Sequence, residues 1–496
     1  MSPEAAHYLT YAFPTVPTLK ENLDGGGLAA AIAREFQGNE NSAKAINILS
    51  PDDESVKLPD HNLNVFAVDK ELVSNEDRFG VWFVDQWVVF HPQAYISGGG
   101  YENDVLRILF QGGEYNAPVG TLARAVEHVK KFGFSARNKK AQDIFADRFD
   151  RQIAAIPSYS IINWQDYMFI SSMRRHATEL REKGCWQSYH HHVTIPEELP
   201  EFSQGIEFLK AVSLMDRVYV HTDIYAERLE NHLQGLNLNI PEIKRFDLGI
   251  DTISIERRLR EITGDNYKEA AEYKGLRREH QEVIDEIVKT QDTKTHRYLV
   301  IDRADEGKGP TVVLDAMNQF LSTLSLVEQA NFKFYFVVPQ LDWGEVIFSP
   351  KHNYTSFLRK KLVEMKQKYP NVLYYMPGIP PALIPLVQRD AHVITGGIQD
   401  GLCLSPLEGL KVNALTNHNR NGIIGMGTGF AMQTMLIEQH CNLVSFVRQG
   451  NVEEMALAIK TLAKAESNDS NGVGLKTRQL VNEVIDKRTD SVIVYP

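Results

Sequence analysis

The chain has 496 residues, more than one hydrophobic core organises, so two domains are expected. Apolar residues make up 43% and charged residues 24%, the balance of an ordinary soluble globular protein. Against 53 Lys and Arg stand 64 Asp and Glu, a formal charge of −11 that argues against nucleic acid or an anionic membrane as main partner. Any anionic ligand therefore has to be held by a local cationic site.

In chain order, the opening "MSPEAAHYLTYAF" has neither a basic n-region nor an apolar h-region, so it does not read as a signal peptide. No stretch reaches the length of a membrane-spanning helix. "DGGGLAAAI" (24–32) is a glycine turn opening a helix, whose amides would suit a diphosphate. A ligand-free turn is equally consistent with it, and its spacing is neither G-x-G-x-x-G nor a P-loop. The run "SYSIINWQDYMFI" reads as a strand entering a polar loop. There Asp166 either accepts hydrogen bonds from sugar hydroxyls or caps the next helix.

Another strand and loop follow in "WQSYHHHVTIPEELPEF". Its three histidines invite a metal, but neighbouring strand residues point to opposite faces and no partner stands at zinc-like spacing. One histidine facing a cleft is the better functional reading, a surface cluster the structural one. "DRVYVHTDIYAERLENHL" repeats the strand–helix step, and "FDLGID" reads as a last strand ending in a turn. Residues 252–296 are dense in charge and read as surface helix and connector, with a hinge near 250–296. The three cysteines, Cys185, Cys403 and Cys441, form neither a disulfide framework nor a zinc motif, which fits a reducing cytoplasm.

Beyond residue 296 the pattern is clearer. Apolar runs recur at "YLVI", "FKFYFVV", "NVLYYM", "AHVIT", "NGIIGM" and "NLVSF", with helical patterns such as "PTVVLDAMNQFLSTL" and "NVEEMALAIKTLAKA" among them. Near-continuous apolar strands alternating with amphipathic helices predict a parallel sheet covered on both faces, with ligands bound beyond the carboxyl ends of its strands. The loops there are the ones to examine. "IDRADEGKG" sets Arg303, Asp305 and Lys308 behind the first strand. A planar guanidinium and an ammonium suit a diphosphate, while an Arg303–Asp305 contact in a solvated turn is the structural alternative. "GGIQDGLCLSPLEG" brackets an apolar loop with Asp400 and Glu408, and "GMGTGFA" is a further post-strand loop.

Taken in order, "GGGLAAAI", "WQDY", "HHVTIPEELPEF", "DLGID", "RADEGKG" and "DGLCLSPLE" resemble the motif series of the trehalose-phosphate synthase family of retaining glycosyltransferases, which also includes glucosylglycerol-phosphate synthases and a pseudo-glycosyltransferase. The resemblance spans nearly the whole chain. Its most specific element is R-x-D-x-x-K-G followed by D-G-x-x-L-x-x-x-E. It implies an α/β GT-B fold: two Rossmann-like, doubly wound parallel-sheet domains with the active site in the cleft between them. The expected domains are 1–255 for the acceptor and 256–475 for the nucleotide sugar, with 476–496 returning to the first.

By the same resemblance Arg303 and Lys308 grip the donor diphosphate and Gly26 and Gly27 contact its phosphate. Asp400 with Gly401 opens the donor-sugar loop, backbone amides at Leu402, Cys403 and Leu404 assist, and Glu408 binds the ribose. Asp166 and His192 match the family's acceptor and catalytic segments, and "WVVFH" offers Trp87 on the acceptor side. Such a transferase needs no cofactor and no metal, because the two cations meet the charge on the leaving diphosphate. Its partners are small-molecule substrates, and a homo-oligomer stays open.

Departures accompany the match. Gln165 stands where the family has His, and Cys403 where it has Asn. The two arginines that grip glucose 6-phosphate are absent: "LTYAFPTV" has none, and "PQLDWGEV" offers Trp343. The expected acceptor is therefore glycerol 3-phosphate, another small phosphorylated polyol or an unphosphorylated acceptor, the product a compatible solute. Two rival readings keep the fold: coupling of a nucleotide-activated cyclitol, and a catalytically silent binding or regulatory homologue.

Overall fold

The computed structural model describes residues 6–9, 46–50, 56–58, 63–67, 150, 153–154, 156–165, 170–192, 195, 203–246, 250, 252–262, 264–302, 308–338, 354–396, 404–416, 418, 422–426, 444–448 and 450–468. The chain divides into two compact units, with the change from first to second falling between Leu248 and Gly249.

In the first unit, strand β1 (Ala6–Leu9) lies beside β2 (Ile46–Ser50), which pairs with β4 (Leu63–Ala67); β3 (Val56–Leu58) runs antiparallel to β4. From β1 the parallel sheet continues through β5 (Ile161–Gln165), β6 (Trp186–His190), β7 (Arg217–Val220) and β8 (Glu242–Arg245). Helix α1 (Ile170–Glu182) links β5 to β6, α2 (Ser203–Val212) links β6 to β7, and α3 (Asp223–Gly235) links β7 to β8. Helices α1 and α3 turn apolar residues at i, i+3 and i, i+4 spacing inward: Met173, Ala177 and Leu180 in α1, and Tyr225, Leu229 and Leu233 in α3 are buried. Thr222 caps α3 by accepting a 3.0 Å hydrogen bond from the Tyr225 amide.

Ile161, Ile162, Asn163 and Trp164 are all buried, as a central parallel strand requires. Most of the polar groups among them are matched, Asn163 Nδ2 being the exception. Ser188 Oγ donates to Asn163 Oδ1 at 2.7 Å, Trp164 Nε1 donates to Gln187 Oε1, and Gln187 Nε2 donates to the Ala177 carbonyl. Of "FDLGID" only Phe246 and Ile250 are described, neither of them in a strand; the last strand of this sheet is the preceding Glu242–Arg245. It is an edge strand with no apolar run to announce it, its inner alternate residues only half-buried, and Glu242 sits 2.6 Å from Arg217 on its neighbour.

The second unit begins with α4 (Thr252–Glu261) and α5 (Arg278–Lys289). Its sheet takes β9 (His296–Ile301), then, after α6 (Pro310–Leu321), β10 (Phe332–Val337). Helix α7 (Tyr354–Lys368), β11 (Leu373–Met376), α8 (Ile384–Gln388) and β12 (His392–Thr395) follow. Helix α9 (Ser405–Leu415), β13 (Gly422–Met426), β14 (Val444–Arg448) and α10 (Val452–Asn468) complete it. All pairings are parallel, in the order β11-β10-β9-β12-β13-β14. Counted within the unit this is 3-2-1-4-5-6, the doubly wound order.

Strand alternation assigns the two faces. Tyr298, Val300, Phe334 and Phe336 join α6, α7 and α10 in one core through Val313, Met317, Phe320, Leu358, Leu362 and Ile459. Leu299, Tyr335 and Val337 face the other way, onto Tyr267, Tyr273, Ile284, Ile287, Leu386 and Val387. The charge-dense stretch after residue 252 thus contributes two tyrosines and two isoleucines to the second core, where the sequence suggested a connector. Among the described residues, no helix is long and apolar enough to cross a membrane.

Candidate functional site

In a 3-2-1-4-5-6 sheet the chain leaves neighbouring strands β9 and β12 toward opposite faces, opening a crevice at their carboxyl ends. The loops leaving these two strands carry the two motifs singled out by sequence. Lys308 and Gly309 end the first loop. Gly309 adopts φ 64°, ψ 33°, a left-handed conformation natural to glycine, and hands over to Pro310 at the start of α6. The second loop begins at Gly396, directly after β12.

The two glycines are pressed together. A Cβ on Gly396 would lie 2.0 Å from the Gly309 carbonyl oxygen, and one on Gly309 would lie 2.5 Å from the Gly396 carbonyl oxygen. No side chain fits at either position, so backbone meets backbone where the two loops leave the sheet. Ser405, the first residue of α9, donates its hydroxyl to the Ile301 carbonyl at 3.0 Å and so ties this helix to the end of β9. Gly409 lets α9 lie flat on β12, since a Cβ there would meet a Val393 methyl at 2.3 Å. The starts of α6 and α9 are thereby fixed at one carboxyl edge.

Of the residues expected from sequence, Lys308, Leu404 and Glu408 are brought to this edge. Leu404 immediately precedes α9, and its carbonyl accepts from the Glu408 amide at 2.9 Å. Glu408 lies in the first turn of α9. Arg303, Asp400, Gly401, Leu402 and Cys403 belong to the same two loops but lie outside the described residues, as do Gly26, Gly27, Trp87, Asp166 and Trp343. Two residues escaped the sequence reading: Gly396 and Ser405. "TGG" directly after an apolar strand was the available signal for Gly396. Nothing local announced Ser405.

His192 belongs to the first unit, just past β6. The alternation expected for the histidine run holds. His190 and His192 share one side, with ring centroids 6.3 Å apart, and His192 stands 5.4 Å from His221. His191 is directed away, and its Nδ1 is 2.8 Å from the Tyr189 hydroxyl. Among the described residues, no group of His, Cys, Asp and Glu is arranged to hold a metal ion. Burial, reinforced by the neighbouring histidines, holds His192 well below the usual imidazole pKa, so it is neutral at physiological pH. It is a hydrogen-bonding group rather than a cation.

His190 is more extreme. It stacks on Tyr219 at 4.5 Å, and burial, with His221 adding repulsion, pulls its pKa down to about 3. Unfolded, the same imidazole titrates near 6.5. Between these values the unfolded chain binds the extra proton, so stability falls as pH drops, approaching about 1.4 kcal/mol per pH unit for this one group. At pH 4.5 the loss attributable to His190 is expected to be about 2.7 kcal/mol. Denaturant midpoints at pH 7 and 4.5 check this, with His190→Phe expected to be less acid-sensitive than wild type. Equal acid sensitivity in both would rule out the buried neutral imidazole as its source.

No protein-family model and no curated protein matches the sequence. Solved structures do match. The chain is similar to an α,α-trehalose-phosphate synthase from Burkholderia vietnamiensis, with a TM-score of 0.69 and 14% identity over 99% of this chain and 97% of that one. A Burkholderia xenovorans trehalose-phosphate synthase in complex with glucose-6-phosphate gives 0.68 and 12%, over 98% and 97%. An E. coli structure bound with UDP-2-fluoro glucose gives 0.64 and 14%, over 97% and 95%. At such low identity the likeness speaks for architecture: the chain has the two-domain α/β GT-B fold that the trehalose-phosphate synthases have.

Proposed function

We propose that the chain is a retaining glycosyltransferase that moves glucose from a nucleoside-diphosphate glucose to a small acceptor. The contact between Gly309 and Gly396 carries this reading. It joins the "RADEGKG" loop to the "GGIQDG" loop at the switch point of the second sheet, so Lys308 and the starts of α6 and α9 converge where a diphosphate and its ribose would lie. The E. coli neighbour is bound with UDP-2-fluoro glucose, a ligand of the proposed donor class.

Retaining transfer of this kind needs no pair of carboxylates flanking the anomeric carbon, unlike most glycosidases. The departing diphosphate takes the acceptor proton on the face it leaves, while the new glycosidic bond forms on that same face. The protein stabilises the charge growing on the leaving group and aligns the acceptor. Lys308 and Arg303 meet that charge without a metal ion, and neutral His192 serves as a hydrogen-bond partner to a hydroxyl. Asp400 recognises the glucose and Glu408 the ribose.

The Burkholderia xenovorans neighbour is in complex with glucose-6-phosphate. The present sequence lacks arginine at the two positions expected to hold such a phosphate, so we assign the acceptor to a different small molecule, with glycerol 3-phosphate or a related phosphorylated polyol foremost. Incubation with UDP-, ADP- and GDP-glucose and a panel of such acceptors, in EDTA, tests the proposal. The expected result is one new glycoside by mass spectrometry, with the α-configuration of the donor retained by NMR. A well-folded chain that makes no glycoside from any donor, or makes an inverted one, would remove it.

A further inference from the structure

We propose that His176 is a proton-operated clasp in the first unit, closed when its ring carries two protons and loosened when one of them leaves. The ring projects from α1 with a carboxylate on either side. Its Nε2 stands 3.0 Å from Asp150 Oδ1, which belongs to the chain leading into β5. Its Nδ1 lies 3.4 Å from Glu179 Oε2, one turn further along α1. A carboxylate oxygen only accepts, and a ring nitrogen that turns a lone pair toward it is repelled. Both contacts are therefore favourable together only for the imidazolium. With 13% of the side chain exposed, the ring is shielded enough for these charges to count. The clasp reaches across β5: it ties the chain entering that strand to the helix that follows it.

Among the described residues, Arg175 and Lys183, both on the α1 side, are the other charges in this cluster. Arg175 Nε lies 2.8 Å from Asp150 Oδ2. Lys183 Nζ lies 2.9 Å from Glu179 Oε1 and donates to the Ala154 carbonyl at 2.8 Å. Ile153 and Ile156 are buried beside them. None of these contacts uses the imidazole, so the chain before β5 stays attached when the ring is neutral. His176 sets how tightly. The Asp150 carboxylate raises the His176 pKa above the ordinary imidazole value; burial opposes the rise, and Glu179 adds to it. Unfolded, the ring titrates at about 6.5. The clasp's contribution is therefore complete below about pH 6.5 and is lost as pH rises through the higher folded value. Its sign is opposite to that of His190, which weakens the fold on the acid side.

Hydrogen exchange of the full chain at pH 6.0 and 8.5, corrected for the intrinsic pH dependence of exchange, tests the proposal. Peptides containing Ile153, Ala154 and Ile156 are expected to lose about two- to fivefold in protection at the higher pH, the scale of a partly exposed ion pair. Peptides from α3 should keep theirs. His176→Gln should show the weaker protection at both pH values, whereas His176→Arg, a permanent cation, should show no drop between them. Histidine-ring NMR supplies a second readout that needs no variant to keep the clasp closed. The His176 midpoint, assigned by its absence from His176→Gln, is expected above 6.5 and lower in Asp150→Asn. Protection that stays constant with pH in wild type, or falls equally in His176→Gln, would overturn the proposal. So would a wild-type midpoint at or below 6.5.

Discussion

Replacement of Lys308 by alanine is expected to abolish detectable transfer while the fold survives. In the proposed reaction its ammonium, at the end of the first post-strand loop, meets the charge on the departing diphosphate. Removing one preorganised donor from such a position costs roughly 10²–10³ in turnover, about 2.7–4 kcal/mol at the transition state. Lys308 is only half-buried and precedes the capping Gly309, so the α6 start is expected to persist without its side chain. Lys308→Arg should keep part of the activity, because a guanidinium supplies the charge in a different shape. Single-turnover rates, with melting temperature as control, check both variants. Wild-type turnover in folded Lys308→Ala would end the assignment.

Gly396→Ala is expected to damage both stability and binding. The added Cβ would sit 2.0 Å from the Gly309 carbonyl oxygen, so one of the two loops must move. Overpacking of this kind costs roughly 1–3 kcal/mol, and here the displaced atoms are backbone, with no rotamer to absorb the shift. Because Lys308 is joined to Gly309, movement of that loop also withdraws the cation from the site. A lower denaturation midpoint together with weaker nucleoside-diphosphate binding is the expected pair of results. Gly235→Ala provides the contrast. A Cβ there meets nothing within 4 Å, at the end of α3, so a neutral or slightly stabilising effect is expected. If Gly396→Ala behaved like Gly235→Ala, the close approach of the two loops would be wrong.

Much of the second domain was legible in the sequence because its strands are buried on both faces. "YLVI", "FKFYFVV" and "AHVIT" are runs that only a covered parallel sheet explains, and their positions led to the loops that matter. Strand Glu242–Arg245 was not legible, since a polar edge strand carries no apolar signal and tertiary pairing alone defines it. Residues 252–289 misled for the converse reason. Their charges face water and mask Tyr267, Tyr273, Ile284 and Ile287, spaced to reach a core that belongs to the following sheet.

The site divides along the same line. Lys308 and Glu408 belong to motifs whose residue types announce their chemistry, so they could be picked out one by one. Gly396 matters through its contact with a glycine from another loop. Pairings of that kind exist only in three dimensions. Lys411 illustrates it: a lysine in the apolar stretch "EGLKVNAL" looks like a surface residue until α4 brings the Glu256 carboxylate to 3.5 Å from its buried ammonium.

The most direct test of the central claim is a calorimetric titration of UDP, ADP and GDP into wild type and into Lys308→Ala. The account predicts saturable binding of one nucleotide to wild type, weakened at least tenfold in the variant, the loss expected for one charged contact to phosphate. Wild-type binding of none of the three, or equal binding by both chains, would contradict it.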